Sequence, residues 1–503
     1  MVNVLFDALL GDRRDTAAPF LHLPDGELIS YRAFCELVSR YANALVSQGV
    51  KPGDRVTAQA EKSPDSLALY FATIAAGAIY SPLNTDYTAT ELEYFIQDAE
   101  PSLVICLPLR ERDVSMIARK VGAAVATLGA DGSGSLGDAA KGQGSTFVPA
   151  PRGEDDLAAI LYTSGTTGRS KGAMLSHGNL LSNAATLRKA WAFTEHDVLL
   201  HALPIFHAHG LFVANNTVAL AGGSMIFHPR FLVDDVIRDL PAATSFMGIP
   251  TFYIRLLADA RLTRELVADM RLFVSGSAPL LSETHLEFER CTAHRILERY
   301  GMTETTMITS NPYNGDRKAG TVGRPLPGIS VRVCDAETSK ELAPGEIGVL
   351  EVAGPNVFKG YWRMPEKTAS EFRADGYFVT GDLARIDADG YITLVGRTKD
   401  LIISGGYNVY PKEIELLVDE LDSGVESAVI GVPHLDFGEA VVAVVVVDSN
   451  KITAADSLMP LLKGKIAKFK QPKRYFIEES LPRNSMGKVQ KKLLREKYLN
   501  CFT

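Results

Sequence analysis

Positive charge is in short supply in this chain: 52 Lys and Arg stand against 60 Asp and Glu, a formal net charge of −8 at pH 7. A field of that sign repels polyanions, which argues against a general nucleic-acid binder and means that any anion site must be local. Cysteine is scarce as well. Cys35, Cys106, Cys291, Cys334 and Cys501 are scattered singly without a CxxC pair, so they read as reduced core or surface residues rather than the dense disulfide framework of a small secreted fold. Long apolar runs are missing. The longest, residues 440–447, is eight residues of mostly valine, too short for a transmembrane helix and suited to a buried strand. Near the N-terminus Asp7, then Asp12, Arg13, Arg14 and Asp15, interrupt the apolar stretch before a signal-peptide core can form. The expectation is a cytoplasmic protein with no membrane partner.

What is present is an ordinary globular composition, with 46% hydrophobic and 22% charged residues over 503 positions, enough for two or three domains. Helix-like stretches at 31–48, 66–76 and 90–99 alternate with short apolar runs at 55–58 and 103–106, the pattern of a parallel sheet with crossover helices. Residues 129–145, rich in Gly, Ser and Ala without apolar period, predict a flexible surface loop. After about residue 320 the texture turns to short alternating strands, with an Asp389-Gly390 turn between 384–386 and 391–395, which predicts a small β-rich subdomain. Beyond Asp400 a strand at 401–403, a helix from Pro411, strands at 427–431 and 440–447 and a basic helical tail predict a separate domain. The fold class is therefore α/β: a large N-terminal domain of mixed sheets and crossover helices plus the β-rich subdomain (1–398), and a small α+β C-terminal domain (399–503).

The strongest local signal is Thr163-Ser164-Gly165-Thr166-Thr167-Gly168-Arg169-Ser170-Lys171-Gly172, directly after the apolar strand candidate 157–162. Three glycines let backbone N–H groups approach an anion, and five hydroxyls and a lysine add donors, so the segment suits phosphate. It is not a Walker loop: Gly165 and Gly168 are three apart, and Lys171 is followed by Gly172, a spacing that together with AMP rather than ADP as product would exclude a P-loop kinase. Further along, Asp382 offers a bidentate acceptor for a ribose diol and Arg397 a donor to the same sugar, with a surface ion pair as the plain alternative. Tyr300 supplies a flat face for adenine, Thr303 a donor for an α-phosphate and Glu304 a hard oxygen for magnesium, with a core tyrosine and a solvated glutamate as the plain alternatives. Between Lys463 and Lys497 twelve Lys and Arg face three acids, a basic surface able to attract coenzyme A phosphates, with a plain solvated face as the alternative.

The glycine-hydroxyl loop resembles the signature of the adenylate-forming superfamily of acyl-CoA synthetases, luciferases and adenylation domains. Six more blocks agree in order. Leu203-Pro204-Ile205-Phe206-His207 is similar to that family's acyl-pocket gate, Gly276-Ser277-Ala278-Pro279 to its adenine wall and Glu298-Arg299-Tyr300-Gly301-Met302-Thr303-Glu304 to its core nucleotide motif. Thr380-Gly381-Asp382 and Gly396-Arg397-Thr398-Lys399-Asp400 follow, and Pro482-Arg483-Asn484-Ser485-Met486-Gly487-Lys488 resembles the loop carrying the catalytic lysine. The resemblance covers roughly residues 20–497. It implies ATP, Mg2+ and coenzyme A as cofactor and co-substrates, and a C-terminal domain that swings about a hinge at Lys399. One pose inserts Lys488, and the other opens a pantetheine tunnel beside Gly405, Gly406 and Tyr407. It also implies that Lys488 bridges the incoming carboxylate and the α-phosphate, and that a lysine acyltransferase acting on Lys488 could switch the enzyme off.

The acyl specificity is read from departures. Pro250-Thr251-Phe252-Tyr253-Ile254-Arg255 puts an arginine on the helix expected to wall the pocket, and an unpaired guanidinium in a closed pocket asks for a second carboxylate. Ser277, where relatives often have glycine, adds a hydroxyl and narrows the cavity; His207 reads as a residue that closes it and touches the same acid, with a satisfied core histidine as the alternative, and His209 reads as such a core histidine. This set resembles that of malonyl-CoA and methylmalonyl-CoA synthetases, which implies AMP-forming ligation of malonate, and of methylmalonate, to coenzyme A. An i,i+4 pair of Arg255 with Asp259 on a solvated face would instead point to another small or aromatic acid. A non-catalytic nucleotide-binding or carrier-loading partner is the reading from a different class. Ser170, where many relatives have proline, would loosen the phosphate loop.

Overall fold

The computed structural model describes residues 2–163, 170–405, 407–419, 426–446, 466–484 and 487–502. Two mixed sheets organise the N-terminal part. In the first, parallel strands run in the order Ala124–Thr127, Leu103–Cys106, Arg55–Ala58, Ile79–Pro82 and Leu157–Thr163, and Lys171–Ser176 closes the edge antiparallel. In the second, nine-stranded sheet, six central strands are parallel: Leu297–Met302, Leu272–Ser275, Ser245–Gly248, Val198–His201, Ser224–Phe227 and Pro19–His22. Antiparallel strands flank both of its edges.

The crossover helices fall where the apolar period placed them, at Tyr31–Ser47, Pro64–Ala75 and Ala89–Ala99. Their starts are local chemistry: Ser30, Ser63 and Thr88 each accept a backbone N–H three residues on, and Pro64 opens its helix at the position where a missing N–H costs nothing. The helix Pro64–Ala75 is buried along ten of its twelve residues, a consequence of lying between layers.

One expectation fails. Residues 129–145 are not a plain loop, because Ser135–Lys141 form a helix. Leu136 and Ala140, one turn apart, are buried, Gly134 takes φ +106° to start the turn, and the Ser135 hydroxyl accepts from the Thr127 amide at 2.9 Å. Two apolar residues on one face suffice once a neighbouring layer supplies the other side, and so short a stripe leaves no visible period.

The β-rich region is a four-stranded antiparallel sheet in the order Ser330–Cys334, Gly348–Ala353, Phe378–Ile386 and Ile392–Arg397, with Gly390 at φ +82° in the Asp-Gly turn. Beyond the turn Thr398–Asp400 lies a five-stranded sheet built on Glu426–His434 and Gly438–Val446, followed by the basic helix Lys491–Lys497. The valine run is explained by its two faces. Val441, Ala443 and Val445 pack against Ile402, Val409, Ile414 and Val418, while Val442 and Val444 pack against Leu481 and Leu494. A strand covered on both sides reads as continuous rather than alternating. Among the described residues no helix is long and apolar enough to cross a membrane.

Candidate active site

The nucleotide motifs converge at strand ends. Thr163 pairs with Lys171 across the antiparallel hairpin, so the phosphate-loop candidate has hydrogen-bonded stems; Ser164, Gly165, Thr166, Thr167 and Gly168 lie outside the described residues. The Lys171 amine is 3.2 Å from Glu371 Oε1 and 4.1 Å from the centre of the Tyr361 ring. The Tyr361 hydroxyl in turn lies 3.0 Å from Glu304 Oε1 and 2.6 Å from Glu371 Oε2. Glu304 is buried, which pushes its carboxyl up from the usual range.

Among the described residues no group of three or more His, Cys, Asp or Glu is arranged to hold a metal. Glu304 offers a single hard carboxylate, which fits magnesium when phosphates and water complete its shell. Gly301 sits where only glycine fits, since a Cβ would fall 1.8 Å from the Thr306 carbonyl oxygen, and the turn that follows presents Thr303, partly exposed.

Tyr300 donates to Asp382 Oδ2 at 2.5 Å, and the Arg397 guanidinium is 2.8 Å from Asp382 Oδ1, held there by direct cross-strand register. With the two side chains 6% and 27% exposed, this is not a surface ion pair. Glu298 accepts from the Leu280 amide at 3.2 Å and so braces the wall formed by Ser277, Ala278 and Pro279; burial pushes its carboxyl up to about 8. Met302 ends the same strand, partly buried.

Lys488 is carried on a tight loop in which its amide donates to Asn484 Oδ1 at 2.9 Å and its carbonyl accepts from the Asn484 amide at 3.0 Å. Its side chain keeps an exposed surface, yet loss of hydration and then the charge of Arg397 bring its pKa down to about 8, with Asp382 pulling the other way. Gly487, beside it, lies against the first turn of the helix Pro250–Leu257: a Cβ there would be 3.0 Å from Thr251 Oγ1. The lysine loop thus packs against the helix Pro250–Leu257 while Lys488 feels the charges of Arg397 and Asp382. Lys399 sits in the turn Thr398–Asp400, which an Asp400–Arg495 ion pair of 2.7 Å fastens to the last helix. Gly405 takes φ +59° and Tyr407, 59% exposed, stacks on Phe469; Gly406 lies outside the described residues.

On the acyl side the helix Pro250–Leu257 forms as expected, with Tyr253 buried and donating to the Val274 carbonyl at 2.7 Å. Arg255 lies one turn beyond Thr251 on the same helix face, exposed and without a hydrogen-bond or ion-pair partner among the described residues. Asp259 pairs with Arg261 at 2.6 Å, so the i,i+4 pair with Arg255 is not formed. Ser277 has φ +72°, in the left-handed region, and its hydroxyl is 3.2 Å from His209 Nδ1. Non-glycine residues held there mark sites where the surroundings over-determine the backbone. His209 opens a π-helical segment, His209–Ala214, a distortion frequent at functional sites. His209 is buried and His207 half-buried, and in each Nε2 is shielded and unbonded; loss of hydration brings His207 down to about 4 and, with the charge of Arg299 added, His209 well below its ordinary value. Loss of hydration favours the neutral form of both rings, and with its Nε2 unbonded His209 is not the satisfied core histidine expected from the sequence.

The residue that sequence reasoning passed over is Arg299. It is 3% exposed, Nε and Nη2 have no partner, and Gly276 must be glycine beside it because a Cβ would fall 2.4 Å from Nη1. The signal was present: neighbours on a strand face opposite sides, so between Glu298 and Tyr300 on the nucleotide face Arg299 has to point the other way, toward His209 and Ser277.

Comparison with known proteins agrees with this geometry. Residues 11–362 match the AMP-binding enzyme family and residues 413–488 the AMP-binding enzyme C-terminal domain. The chain is 35% identical to a malonate–CoA ligase of Arabidopsis thaliana over 485 residues, covering 90% of this chain and 79% of the other. It is also 35% identical to the mitochondrial malonate–CoA ligase of Mus musculus over 497 residues, covering 90% and 84%. The crystal structure of ATP-bound MatB from Rhodopseudomonas palustris superposes over the full length of both chains with a TM-score of 0.98 and 57% identity. With strand-end nucleotide motifs, a lysine loop seated between the two halves and family matches across both, the chain belongs to the AMP-binding enzymes.

Proposed function

We propose that the enzyme ligates malonate, and as second substrate methylmalonate, to coenzyme A through an acyl-adenylate. The observation that carries the dicarboxylate is the buried Arg299, its Nε and Nη2 without partners, with His209 and Ser277 on the same side. Orphaned buried donors are costly unless a ligand completes them, and a guanidinium completes best with a carboxylate. The likeness to two malonate–CoA ligases and to MatB supports the same reading.

In the first half-reaction one malonate carboxylate oxygen attacks the α-phosphorus of ATP and pyrophosphate leaves. The phosphate loop from Thr163 to Lys171 and Thr303 hold the phosphates, Asp382 and Arg397 the ribose, Tyr300 and the wall 277–279 the adenine. Lys488 neutralises charge between carboxylate and α-phosphate. Magnesium, held by Glu304, would neutralise the departing pyrophosphate. In the second half-reaction the thiol of coenzyme A attacks the acyl carbon and AMP leaves, after the C-terminal domain turns at Lys399 to present Gly405, Gly406 and Tyr407. Acylation of the exposed Lys488 by a lysine acyltransferase would remove the charge the first step uses; protein from its native cell that is always unmodified there would refute that regulation.

The test is ATP-to-AMP turnover with coenzyme A on malonate, methylmalonate, acetate, hexanoate and 4-coumarate, comparing the intact enzyme with Arg255→Ala. Selectivity for malonate in the intact enzyme supports the reading, and its weakening in the variant gives Arg255 a place at the rim of the site. A preferred monocarboxylate, unaffected by the change, overturns the substrate class.

A further inference from the structure

Lys62 is a buried amine that the ligase chemistry leaves unused. It follows the strand Arg55–Ala58 of the first sheet, is 9% exposed, and has no carboxylate partner among the described residues, an unusual situation for lysine. Its Nζ lies 2.9 Å from His201 Nδ1, 2.7 Å from the His201 carbonyl oxygen and 4.3 Å from the centre of the Phe227 ring. His201 and Phe227 end two adjacent parallel strands of the second sheet, in direct register. The amine therefore crosses the seam between the two sheets at the carboxyl ends of their strands, where open α/β sheets bind ligands.

The direction of these hydrogen bonds is fixed. His201 Nε2 is 3.0 Å from the Gly210 carbonyl oxygen, which can only accept, so Nε2 carries the ring proton and Nδ1 accepts from Lys62. Burial drives Lys62 well below its ordinary pKa, toward the uncharged amine, and the two N–H groups of that form are both used. Gly210 is where the acyl-side segments meet. A Cβ at Gly210 would fall 2.1 Å from the Pro204 carbonyl oxygen, so the segment 203–207 packs directly on it, and the Leu211 amide donates to the His207 carbonyl at 2.9 Å. His209, its neighbour, faces Ser277.

We propose that Lys62 is a positioning residue for the acyl subsite: through His201 it fixes the Gly210 carbonyl, and with it the placement of His207 and His209 against Ser277. This rests on the reading of that pocket as the seat of the distal carboxylate. Lys62→Met keeps the aliphatic stem over Phe227 and removes both donors. Its KM for malonate should rise about tenfold, the scale of losing one or two buried hydrogen bonds, with KM for ATP within about twofold of the parent. Thioester formation from supplied malonyl-adenylate should also stay within about twofold, and Lys62→Gln, which restores an N–H donor, should recover part of the loss. Should Lys62→Met fail to fold, His201→Gln carries the same expectation of a malonate effect without an ATP effect. Unchanged KM for malonate, or equal rises for malonate and ATP, overturns the proposal and leaves Lys62 a packing residue. A parent enzyme with no preference for malonate over acetate overturns the substrate reading instead.

Discussion

Replacing Arg299 by methionine should make the protein more stable and a poorer malonate ligase at the same time. In the free enzyme this guanidinium is buried with Nε and Nη2 unpartnered, and burial brings its pKa down to about 9 against the pull of Tyr253 and Glu298. Exchanging buried ionic groups for well-packed apolar ones is commonly neutral or stabilising by ~1–4 kcal/mol. Methionine fills most of the same length, is unbranched and leaves the close approach of Gly276 intact. At ~2–4 °C per kcal/mol for domains of 150–250 residues, and less for a larger unit, the melting temperature should rise by a few degrees. Malonate should respond in the opposite sense. Hydrogen bonds to a charged group contribute ~1.5–3 kcal/mol, so kcat/KM for malonate should fall about 10- to 150-fold. Acetate, which has no distal carboxylate, should change by less than about threefold. Thermal unfolding of the nucleotide-free protein and pyrophosphate release on the two acids read both sides. A lower melting temperature with unchanged malonate selectivity would show Arg299 to be a structural cation and refute the assignment.

Lys488→Ala should abolish acyl-adenylate formation and leave thioester formation from supplied malonyl-adenylate largely intact; equal loss of both half-reactions counts against its role. Because the Lys488 ammonium loses its proton near pH 8, adenylation should decline as pH rises through about 8, and that alkaline limb should be absent when the second half-reaction is followed alone. His207, lowered to about 4, stays neutral above pH 5 and contributes no limb there. Lys399→Pro should freeze the domain swing and separate the half-reactions, and survival of both would remove the hinge assignment.

The helices Tyr31–Ser47, Pro64–Ala75 and Ala89–Ala99 and the strands Arg55–Ala58, Leu103–Cys106 and Leu157–Thr163 were legible because each has an apolar stripe or a buried run, and the helix Ser135–Lys141 was not, because its stripe is two residues, Leu136 and Ala140. The same limit separates the two arginines of the acyl side. A sequence shows that a cation is present but not whether it is dry. Arg255 stood out by its helix and is exposed, whereas Arg299 was hidden inside a nucleotide motif and is the one stripped of water. Pairing is equally invisible: the plausible partner of Arg255, Asp259, is taken by Arg261. These differences decide how selectivity arises. An exposed guanidinium gains little by exchanging water for a carboxylate, since charges at a surface are screened. A buried one has already lost its water, so the carboxylate that reaches it restores what folding removed, and an acid without a second carboxylate leaves that donor unpaired. Discrimination between malonate and acetate should therefore reside chiefly in Arg299 with His207, His209 and Ser277 around it, while Arg255 acts on capture at the entrance.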